Sequence, residues 1–409
     1  MAYRGDSPMR ILFLTSTFPR FPGDMQANFV GEQATAWKAA RPKDEIVILA
    51  PHDALAARRE ALDGIEVVRF RYVLPAKFQG LAYPAILPNL KRRPLLAAQI
   101  PSFLVSQYLA ARKLVKSRAI DLIYAHWVMP QGLVAMWLNR TIGVPYVLQN
   151  HSSDLRVFGK MGRRGHGLAR RIINSAQHLF CVNSAQREYS LSLFAEPEKR
   201  AVGPKVTVLP MGVNPPDAGA AGSIRYEFAS ISRLSKKKGL HHFIAAAEKL
   251  SANGFRPSIG IAGNGEDADE LKAMVQHADI HFPGFLTGPE KDALFDQTRT
   301  FVMPSIASGD DVEGMPVSLL EALCRGKPTI AGRDTNIASL PEWSSIKDDV
   351  IYLEDPSDLD AFGTAMRKVG DVLDGDAESR LRTVMARYWW PNLIHEYLDA
   401  LGSKPENAP

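Results

Sequence analysis

The sequence predicts an α/β protein made of two Rossmann-like, doubly wound domains that face each other across a cleft. The chain has 409 residues, which is more than one hydrophobic core usually serves. Short apolar runs alternate with segments in which apolar residues recur every three or four positions. The runs are continuous rather than alternating, which is typical of parallel strands covered by helices on both faces.

The apolar runs predict strands in both halves of the chain. In the first half they are Ile11–Thr15, Glu45–Ala50, Ile65–Phe70, Asp121–His126, Tyr146–His151, His178–Val182 and Val206–Leu209. In the second half they are Tyr226–Ile231, Ser258–Ala262, Ile280–Phe282, Thr300–Met303, Pro328–Ala331 and Val350–Leu353. Helical spacing predicts helices between them, including Asn28–Ala40, Leu240–Leu250 and Pro316–Cys324.

The domain boundary is expected at Met211–Ser223, a segment rich in Gly, Pro and Ala that has no periodic pattern. We therefore expect a first domain over 1–212, a linker over 213–224 and a second domain over 225–385. Residues 386–409 are expected to form a C-terminal helix that crosses back to the first domain. The helical pattern there is interrupted at Trp389–Pro391, because proline disfavours helix in the residue before it.

Composition is that of a soluble globular protein, with 46% apolar and 23% charged residues. No apolar run reaches the roughly 18 residues that a membrane span needs, and the N-terminus does not resemble a signal peptide. The only cysteines, Cys181 and Cys324, lie in apolar runs. Two buried thiols are compatible with a reducing cytoplasm, where we expect the protein.

Charge is distributed unevenly along the chain. Residues 1–213 contain 29 Lys and Arg against 14 Asp and Glu, whereas the remainder contains 20 against 30. Basic clusters occur at 91–93, 112–118 and 156–171. A basic half favours an anionic partner, such as a membrane surface, a nucleic acid or a phosphorylated acceptor. For any single cluster, a solvated helical surface explains the charge equally well.

The segment Ser305–Leu323 is the strongest candidate for a site. A strand ends in a polar loop, and a helix is expected to begin near Met315 and Pro316, because proline marks a helix's first turn. Glu313 and Glu321 lie eight residues apart, about two helical turns. The two carboxylates could bind two parts of an extended ligand, with the helix N-terminus facing a phosphate. A capping carboxylate followed by a solvated one explains the spacing alone equally well.

Two more loops follow predicted strands in the second half. Arg233 offers a planar guanidinium and Lys238 a point charge for phosphate oxygens, whereas Lys236 and Lys237 are expected to be solvated. The loop that contains Gly263 and Gly265 again follows a strand and precedes a helix. A single GxG is weak evidence, but polar loops at the carboxyl ends of successive strands are where doubly wound folds bind ligands.

In the first half, two histidines end predicted strands. His151 is followed by Asp154 and is well placed to face a ligand. Either histidine could instead be structural, and for His126 the structural interpretation is the better one. Gly23 lies in the loop after the first strand, where its backbone could approach a ligand. The sequence has no GxxxxGK[ST], HExxH, paired CxxC, GxSxG or first-strand GxGxxG motif. P-loop, zinc, hydrolase and dinucleotide enzymes therefore lack support.

Taken together, these motifs resemble glycosyltransferase family 4, which comprises retaining enzymes of the GT-B fold. The resemblance depends on Glu313 and Glu321 within EGMPVSLLEALCRGKPTIA, and on SRLSKKKG, AGNGED, LPMGVN, AHWVMPQG and NHSSD. It covers about residues 10 to 355. Where the family has a glycine pair in the first loop, this chain has Gly23 followed by Asp24, and His-Gly-x-Asp is replaced by His151-Ser-Ser-Asp154.

The resemblance implies a role for each candidate residue. Arg233 and Lys238 would bind the donor diphosphate, and Glu321 would hold the ribose hydroxyls. Glu313 would contact the transferred sugar, and His151 would lie near the reacting sugar, with Asp154 and His126 on the acceptor side. The remaining donor contacts would come from Gly23, Gly263, Gly265, Gly314, Met315, Pro316 and Val317.

The resemblance also implies the partners. The first domain would bind the acceptor and the second a nucleoside-diphosphate sugar, with no metal or other cofactor. We expect a glycan or lipid-linked acceptor and an anionic membrane surface, with the protein peripheral on the inner membrane face, and no nucleic acid. Synthesis of a cell-surface polysaccharide or glycolipid is the expected role. A sugar-nucleotide epimerase on the same scaffold and a non-catalytic sugar-nucleotide-binding protein are the alternatives.

Overall fold

The computed structural model of the chain describes residues 7–21, 23–24, 28–62, 64–151, 153–216, 223–307, 313–372 and 376–402. These residues form two compact units. The first unit contains the described residues up to Pro210 together with those from Leu393 onward, and the second runs from Met211 to Asn392. No helix in these ranges is both long enough and apolar enough to cross a bilayer.

The first unit is built on an eight-stranded sheet. Its strands are β1 (Arg10–Leu14), β2 (Glu45–Pro51), β3 (Arg59–Leu62), β4 (Ile65–Phe70), β5 (Leu122–His126), β6 (Tyr146–Asn150), β7 (His178–Cys181) and β8 (Val206–Val208). They lie in the order β3-β4-β2-β1-β5-β6-β7-β8, and every pair is parallel except β3 with β4. The inner strands are buried along their length, as parallel strands between helical layers require.

Helices connect these strands. They are α1 (Phe29–Ala40), α2 (Ile86–Arg92), α3 (Ile100–Arg118), α4 (Leu133–Ile142), α5 (Arg156–Gly159), α6 (Gly162–Ser175), α7 (Ser184–Ser192) and α8 (Glu196–Val202). The longest, α3, buries Phe103, Ala111, Leu114 and Val115 in the core of the first unit.

The second unit contains a six-stranded, fully parallel sheet. Its strands are β9 (Tyr226–Ile231), β10 (Ser258–Ala262), β11 (Asp279–Gly284), β12 (Thr298–Met303), β13 (Thr329–Gly332) and β14 (Val350–Leu353), in the order β11-β10-β9-β12-β13-β14. The remaining helices are α9 (Leu240–Ala252), α10 (Ala268–Ala273), α11 (Gly288–Asp296), α12 (Val317–Cys324), α13 (Trp343–Ile346), α14 (Leu359–Val372), α15 (Ala377–Met385) and α16 (Trp390–Gly402).

The predicted α/β class with two doubly wound units is confirmed, and the predicted strands lie within one or two residues of the observed ones. The edge strand β3 was not predicted, because the sequence Arg-Glu-Ala-Leu lacks an apolar run. The chain reverses between β3 and β4, which makes them the antiparallel pair. A half-exposed edge strand of this kind gives little hydrophobic signal.

The C-terminal segment and the expected linker differ in detail from the prediction. A 3-10 turn at Ala386–Tyr388 follows α15, and the extended Trp389 (ψ 133°) interrupts the helical pattern within the predicted range. Helix α16 then starts at Trp390, with Pro391 in its first turn, where proline removes no helical hydrogen bond. Val213, expected in a loose linker, is fully buried and forms a β-bridge with Trp389. Residues 217–222 of the expected linker lie outside the described residues.

Candidate functional site

Glu313 lies between two lysines. Nζ of Lys238 is 3.0 Å from one carboxylate oxygen of Glu313, and Nζ of Lys237 is 3.2 Å from the other. The Glu313 side chain is only 6% exposed. Burial alone would raise the pKa of this carboxyl, but the charges of Lys238 and Lys237 outweigh burial and lower its pKa to about 2. Glu313 is therefore a permanently ionised acceptor of hydrogen bonds at neutral pH.

Sheet topology explains why these residues meet. The lysines follow β9 and Glu313 follows β12, and these two strands are parallel neighbours in the second sheet. Their carboxyl ends therefore reach the same edge of the sheet. The backbone N–H of Ile306 donates to the carbonyl of Lys237 at 2.8 Å, so that the two loops are tied directly. At Gly239, which has φ +67°, a Cβ would lie 1.9 Å from the carbonyl oxygen of Pro304, and this close approach requires glycine.

The position of Lys237 corrects the expectation that it is solvated. Its side chain is 23% exposed and contacts Glu313, whereas Lys236 on the same turn is exposed. The three lysines form a 3-10 turn. In such a turn, successive side chains point in different directions. Three consecutive lysines are indistinguishable in the sequence. The contact of Lys237 with Glu313 could therefore be identified only from the structure.

Arg233 does not join this cluster in the described residues. Its guanidinium instead binds Glu266, with Nε and Nη2 at 3.0 and 2.9 Å from one carboxylate oxygen. Both side chains are between 40% and 50% exposed, so that water and salt screen the pair. Arg233 is thus held at the rim of its loop by a carboxylate that an anionic ligand could replace. Glu266 was not singled out in the sequence.

The glycines after β10 shape this loop. A Cβ at Gly263 would lie 1.8 Å from the carbonyl oxygen of Ser232, and a Cβ at Gly265 would lie 2.1 Å from that of Leu234. The backbone of Leu234 also donates to the carbonyl of Asn264. The structure therefore explains both glycines by close packing against the Arg233 loop, and their contact with a donor stays a prediction.

Glu321 has a different cationic partner. It lies in α12, is largely buried, and its carboxylate is 2.5 Å from Nζ of Lys291 in α11. Lys291 was missed in the sequence, because it lies 30 positions away and carries no motif. The sequence predicted that Glu313 and Glu321 bind two parts of one ligand. In the structure each carboxylate has lysine partners of its own, Glu313 in the loop before α12 and Glu321 within that helix.

The start of α12 provides backbone donors. The helix begins at Val317, one residue later than predicted, because Pro316 has an extended ψ of 119° and serves as the N-cap. At this end, Asn336 donates through its side-chain amide to the carbonyls of Glu313 and Gly314 at 3.2 and 3.0 Å. Asn336 thus holds the backbone that carries the site, and no sequence motif marked it. Residues 308–312 of the predicted segment lie outside the described residues, and Met315 is buried.

In the first unit, His126 and His151 form a hydrogen-bonded pair at the carboxyl ends of β5 and β6. Nδ1 of His126 is 3.0 Å from Nε2 of His151, and the rings stack with centroids 5.2 Å apart. His151 also packs against the rings of Phe29 and Trp127. Burial lowers the pKa of His151 to about 3 and, together with the neighbouring His151, lowers that of His126 well below its usual value. Both rings are therefore neutral at physiological pH.

The pairing indicates which nitrogen of each ring carries hydrogen. Nε2 of His126 is buried without a partner in the described residues. A buried N–H without an acceptor costs more than a bare nitrogen in the same place. The favoured arrangement therefore has Nδ1–H of His126 donating to Nε2 of His151. His151 then carries its own hydrogen on Nδ1, where it can donate to a ligand.

Asp154 holds the loop around His151. Its carboxylate is 96% buried and accepts hydrogen bonds from the backbone N–H of Val128 and of His151, at 2.7 and 3.3 Å, and from the side chain of Asn150. Asp154 therefore positions the backbone of this loop. Gly23 has φ +81°, and a Cβ there would meet nothing within 4 Å among the described residues, which do not include its neighbours at 22 and 25–27.

Family comparison covers both units. Residues 26–205 match the family described as glycosyl transferase 4-like domain, and residues 221–369 match glycosyl transferases group 1. A protein of Salmonella typhimurium named as the colanic acid biosynthesis glycosyltransferase WcaL is 36% identical over 121 residues, 28% of this chain and 30% of that relative. The aligned stretch thus spans less than a third of that relative's length.

A longer alignment and a solved structure extend the likeness. The GDP-mannose-dependent alpha-(1-6)-phosphatidylinositol monomannoside mannosyltransferase of Mycolicibacterium smegmatis is 26% identical over 411 residues, covering 93% of each chain. Sucrose-phosphate synthase from Thermosynechococcus elongatus superposes with a TM-score of 0.68 at 15% identity, covering 95% of this chain and 97% of that one. The structural likeness shows the GT-B fold. The glycosyl transferase 4-like model matches the first unit, and the group 1 model matches the second. The chain therefore belongs to the group 1 glycosyltransferases of the glycosyltransferase 4 type.

Proposed function

We propose that the protein transfers a sugar from a nucleoside-diphosphate sugar to a glycan or lipid-linked acceptor, with retention at the anomeric carbon. The observation that carries the proposal is the contact between Lys238 and the buried, ionised Glu313 at the carboxyl edge of the second sheet. A carboxylate there can accept hydrogen bonds from sugar hydroxyls. The adjacent lysine can neutralise a diphosphate as it leaves.

Each remaining residue of the site has a role in this proposal. Arg233 exchanges Glu266 for a phosphate oxygen, and backbone N–H groups at the start of α12 face the diphosphate. Glu321 binds the ribose hydroxyls of the nucleotide. His151 donates from Nδ1 to the transferred sugar. These cations and helix dipoles supply the electrostatic stabilisation, so the proposal assigns no step to a metal.

The low pKa of Glu313 restricts the mechanism. A group whose pKa is about 2 is a weak base, and it accepts a proton from a sugar hydroxyl poorly at neutral pH. Glu313 is therefore assigned to binding and charge stabilisation rather than to proton abstraction. In the proposed reaction, the acceptor attacks on the face that the diphosphate leaves, and the departing phosphate takes the acceptor's proton.

The biological role that we propose is synthesis of a cell-surface polysaccharide or glycolipid at the inner face of a membrane. The names of the two relatives support it, since one refers to colanic acid and the other to a phosphatidylinositol monomannoside. The basic first half of the chain, with 29 Lys and Arg against 14 Asp and Glu, supports peripheral attachment to anionic lipid. The family match does not favour an epimerase.

A thermal-shift screen of UDP-, GDP-, ADP- and dTDP-linked sugars tests the donor site. A ligand at a hundred times its dissociation constant stabilises the folded state by about 2.7 kcal/mol. We expect one nucleotide class to stabilise the wild type and the Lys236→Ala control, and not Lys238→Ala. Transfer with that donor should then fail in Glu313→Ala and Lys238→Ala. Near wild-type transfer in either variant, or epimer formation without any acceptor, would contradict the proposal.

A further inference from the structure

Acidic residues are absent from a long basic stretch of the first unit. Between Glu66 and Asp121 the sequence contains ten Lys and Arg and no Asp or Glu. Five of these cations lie exposed in residues 71–99, and in the described part of the chain none of the five pairs with a carboxylate: Arg71, Lys77, Lys91, Arg92 and Arg93. A surface without internal counter-charges attracts an external polyanion.

The same residues expose large apolar side chains. Leu95 is 91% exposed, Leu74 75%, Phe78 58% and Leu87 41%. Single exposed leucines are ordinary, but here four large apolar side chains are interspersed along the chain with five exposed cations, which gives the segment an amphipathic exterior. We call residues 71–99, between β4 and α3, the basic–apolar segment.

The basic–apolar segment is a packed part of the first unit rather than a loose loop. The side chain of Gln99 donates to the carbonyl of Phe78 at 2.8 Å and accepts from the N–H of Gly80 at 3.3 Å. Asn89, in α2, donates to the carbonyls of Gly80 and Leu81 at 3.1 and 3.0 Å. These contacts join the turn of Phe78, the helix of Leu87 and the turn of Leu95 into one piece. The backbone that carries the exposed side chains is therefore held by contacts within the first unit.

Helix α3 continues the pattern. Val105 and Leu109 are 52% and 56% exposed, and Arg112 and Lys116 are exposed at the next positions along the same face. Their spacing of four, three and four residues places all of them on one stripe of the helix. The stripe thus changes from apolar near the basic–apolar segment to basic farther along.

We propose that the basic–apolar segment is the surface by which the first unit binds an anionic lipid bilayer. Leu95 and Phe78 enter the headgroup–acyl boundary, while Lys91, Arg92 and Arg93 bind lipid phosphates. A nucleic acid would satisfy the cations but leave the leucines in water, whereas a bilayer offers both environments within a few ångströms. The inference rests on the proposed function only in naming the membrane, and vesicle binding requires neither donor nor turnover.

Flotation with vesicles tests the proposal directly. We expect the full-length protein to float with vesicles of phosphatidylcholine and phosphatidylglycerol at low salt, and not with phosphatidylcholine alone. Leu95→Glu should weaken binding about tenfold, since it removes one buried leucine from the lipid. Ile224→Glu, at a 49% exposed residue of the second unit, should bind like the wild type.

The basic side chains have a matched control as well. The triple substitution Lys91→Gln, Arg92→Gln and Arg93→Gln should weaken binding about a hundredfold at low salt. Removing three exposed cations of the second unit changes the net charge equally and should leave binding largely intact: Lys272→Gln, Arg299→Gln and Lys347→Gln. Similar losses in both triple variants would show that net charge, and not this surface, governs binding, and would overturn the proposal.

A site-specific label gives a second, independent measurement. The native thiols Cys181 and Cys324 are buried, so that a polarity-sensitive maleimide dye will label a Leu95→Cys variant selectively. Its emission should shift to the blue on anionic vesicles, and the same dye at Ile224→Cys should not respond. An unchanged spectrum at position 95, no flotation of the wild type, or displacement from vesicles by equimolar single-stranded RNA would each overturn the proposal.

Discussion

Nζ of Lys237 lies 3.2 Å from one carboxylate oxygen of Glu313, while Nζ of Lys238 lies 3.0 Å from the other. The carboxylate is thus held at both oxygens by lysines that are adjacent in sequence. Because Glu313 is buried, this pair of charges decides its protonation. We expect Lys237 to be a positioning residue that keeps Glu313 ionised and fixed in the proposed reaction, in which Lys238 binds the diphosphate.

Lys237→Met should make the stability of the protein less dependent on acid pH. The folded-state pKa of Glu313, about 2, lies below its ordinary value, so its ionisation stabilises the fold above about pH 4.3 and this contribution is lost as pH falls towards 2. Removing Lys237 raises that pKa. We expect the variant to be less stable than the wild type at pH 7, on the order of 1 kcal/mol, with a clearly smaller difference at pH 2.5, because the contribution disappears fully only below the folded-state pKa of about 2.

Denaturant unfolding at the two pH values measures this difference. Lys236→Met is the matched control, since Lys236 is exposed on the same 3-10 turn. A stability loss in Lys237→Met that is the same at pH 7 and pH 2.5 would show that the lysine contributes packing rather than charge. In donor-dependent transfer, Lys237→Arg should recover most of the activity that Lys237→Met loses.

Gly239→Ala should disrupt the donor site more than a typical glycine substitution. A Cβ at Gly239 would lie 1.9 Å from the carbonyl oxygen of Pro304, whereas at Gly254, which also has positive φ, it would meet no described atom within 4 Å. The strain of a positive φ costs about 1–2 kcal/mol at either position. Chemical unfolding should therefore show a loss of about that size for Gly254→Ala and a clearly larger loss for Gly239→Ala. Equal losses would argue against the close loop contact.

Asn336→Gly should lower donor affinity while sparing the backbone conformation. Asn336 has φ +61°, which glycine adopts freely, so the substitution mainly removes the amide that donates to Glu313 and Gly314. We expect a stability loss of about 1 kcal/mol for the lost hydrogen bonds. In calorimetric titration, nucleoside-diphosphate affinity should fall because the start of α12 is no longer held. Unchanged affinity would restrict Asn336 to a structural role.

The histidine pair should make the first unit sensitive to mild acid. The pKa of His151 in the folded state is about 3, below its ordinary 6.5, so the unfolded state binds the proton first and stability falls as pH falls below 6.5. Each such histidine contributes about 1.4 kcal/mol per pH unit in that window. His151→Phe should reduce the slope of unfolding free energy between pH 6.5 and 4.5 by that amount. The exposed His277→Phe should leave the slope unchanged, and an unchanged slope in His151→Phe would contradict neutral burial of the ring.

The sequence by itself determined the fold class and the strands, and it singled out the main residues that we propose for the site. A continuous apolar run is buried whichever strands it pairs with in the sheet. For this reason β9 and β12 were predicted within two residues of their observed bounds. Glu313 and Lys238 were predicted because loops after parallel strands carry ligand-binding residues. Their chemistry depends on residue type and order along the chain, which the sequence contains.

Only the tertiary structure decided how these residues are paired. Three ion pairs involve a residue that the sequence did not single out: Lys237 pairs with Glu313, Glu266 with Arg233, and Lys291 with Glu321. The separations along the chain are too long for a local pattern to encode. Asn336 is likewise visible only where β13 brings it against the start of α12. Pairing depends on which strands become neighbours and on which way each side chain turns. Strand order and side-chain direction are both determined by the packing of the whole unit, so neither could be predicted from residue spacing.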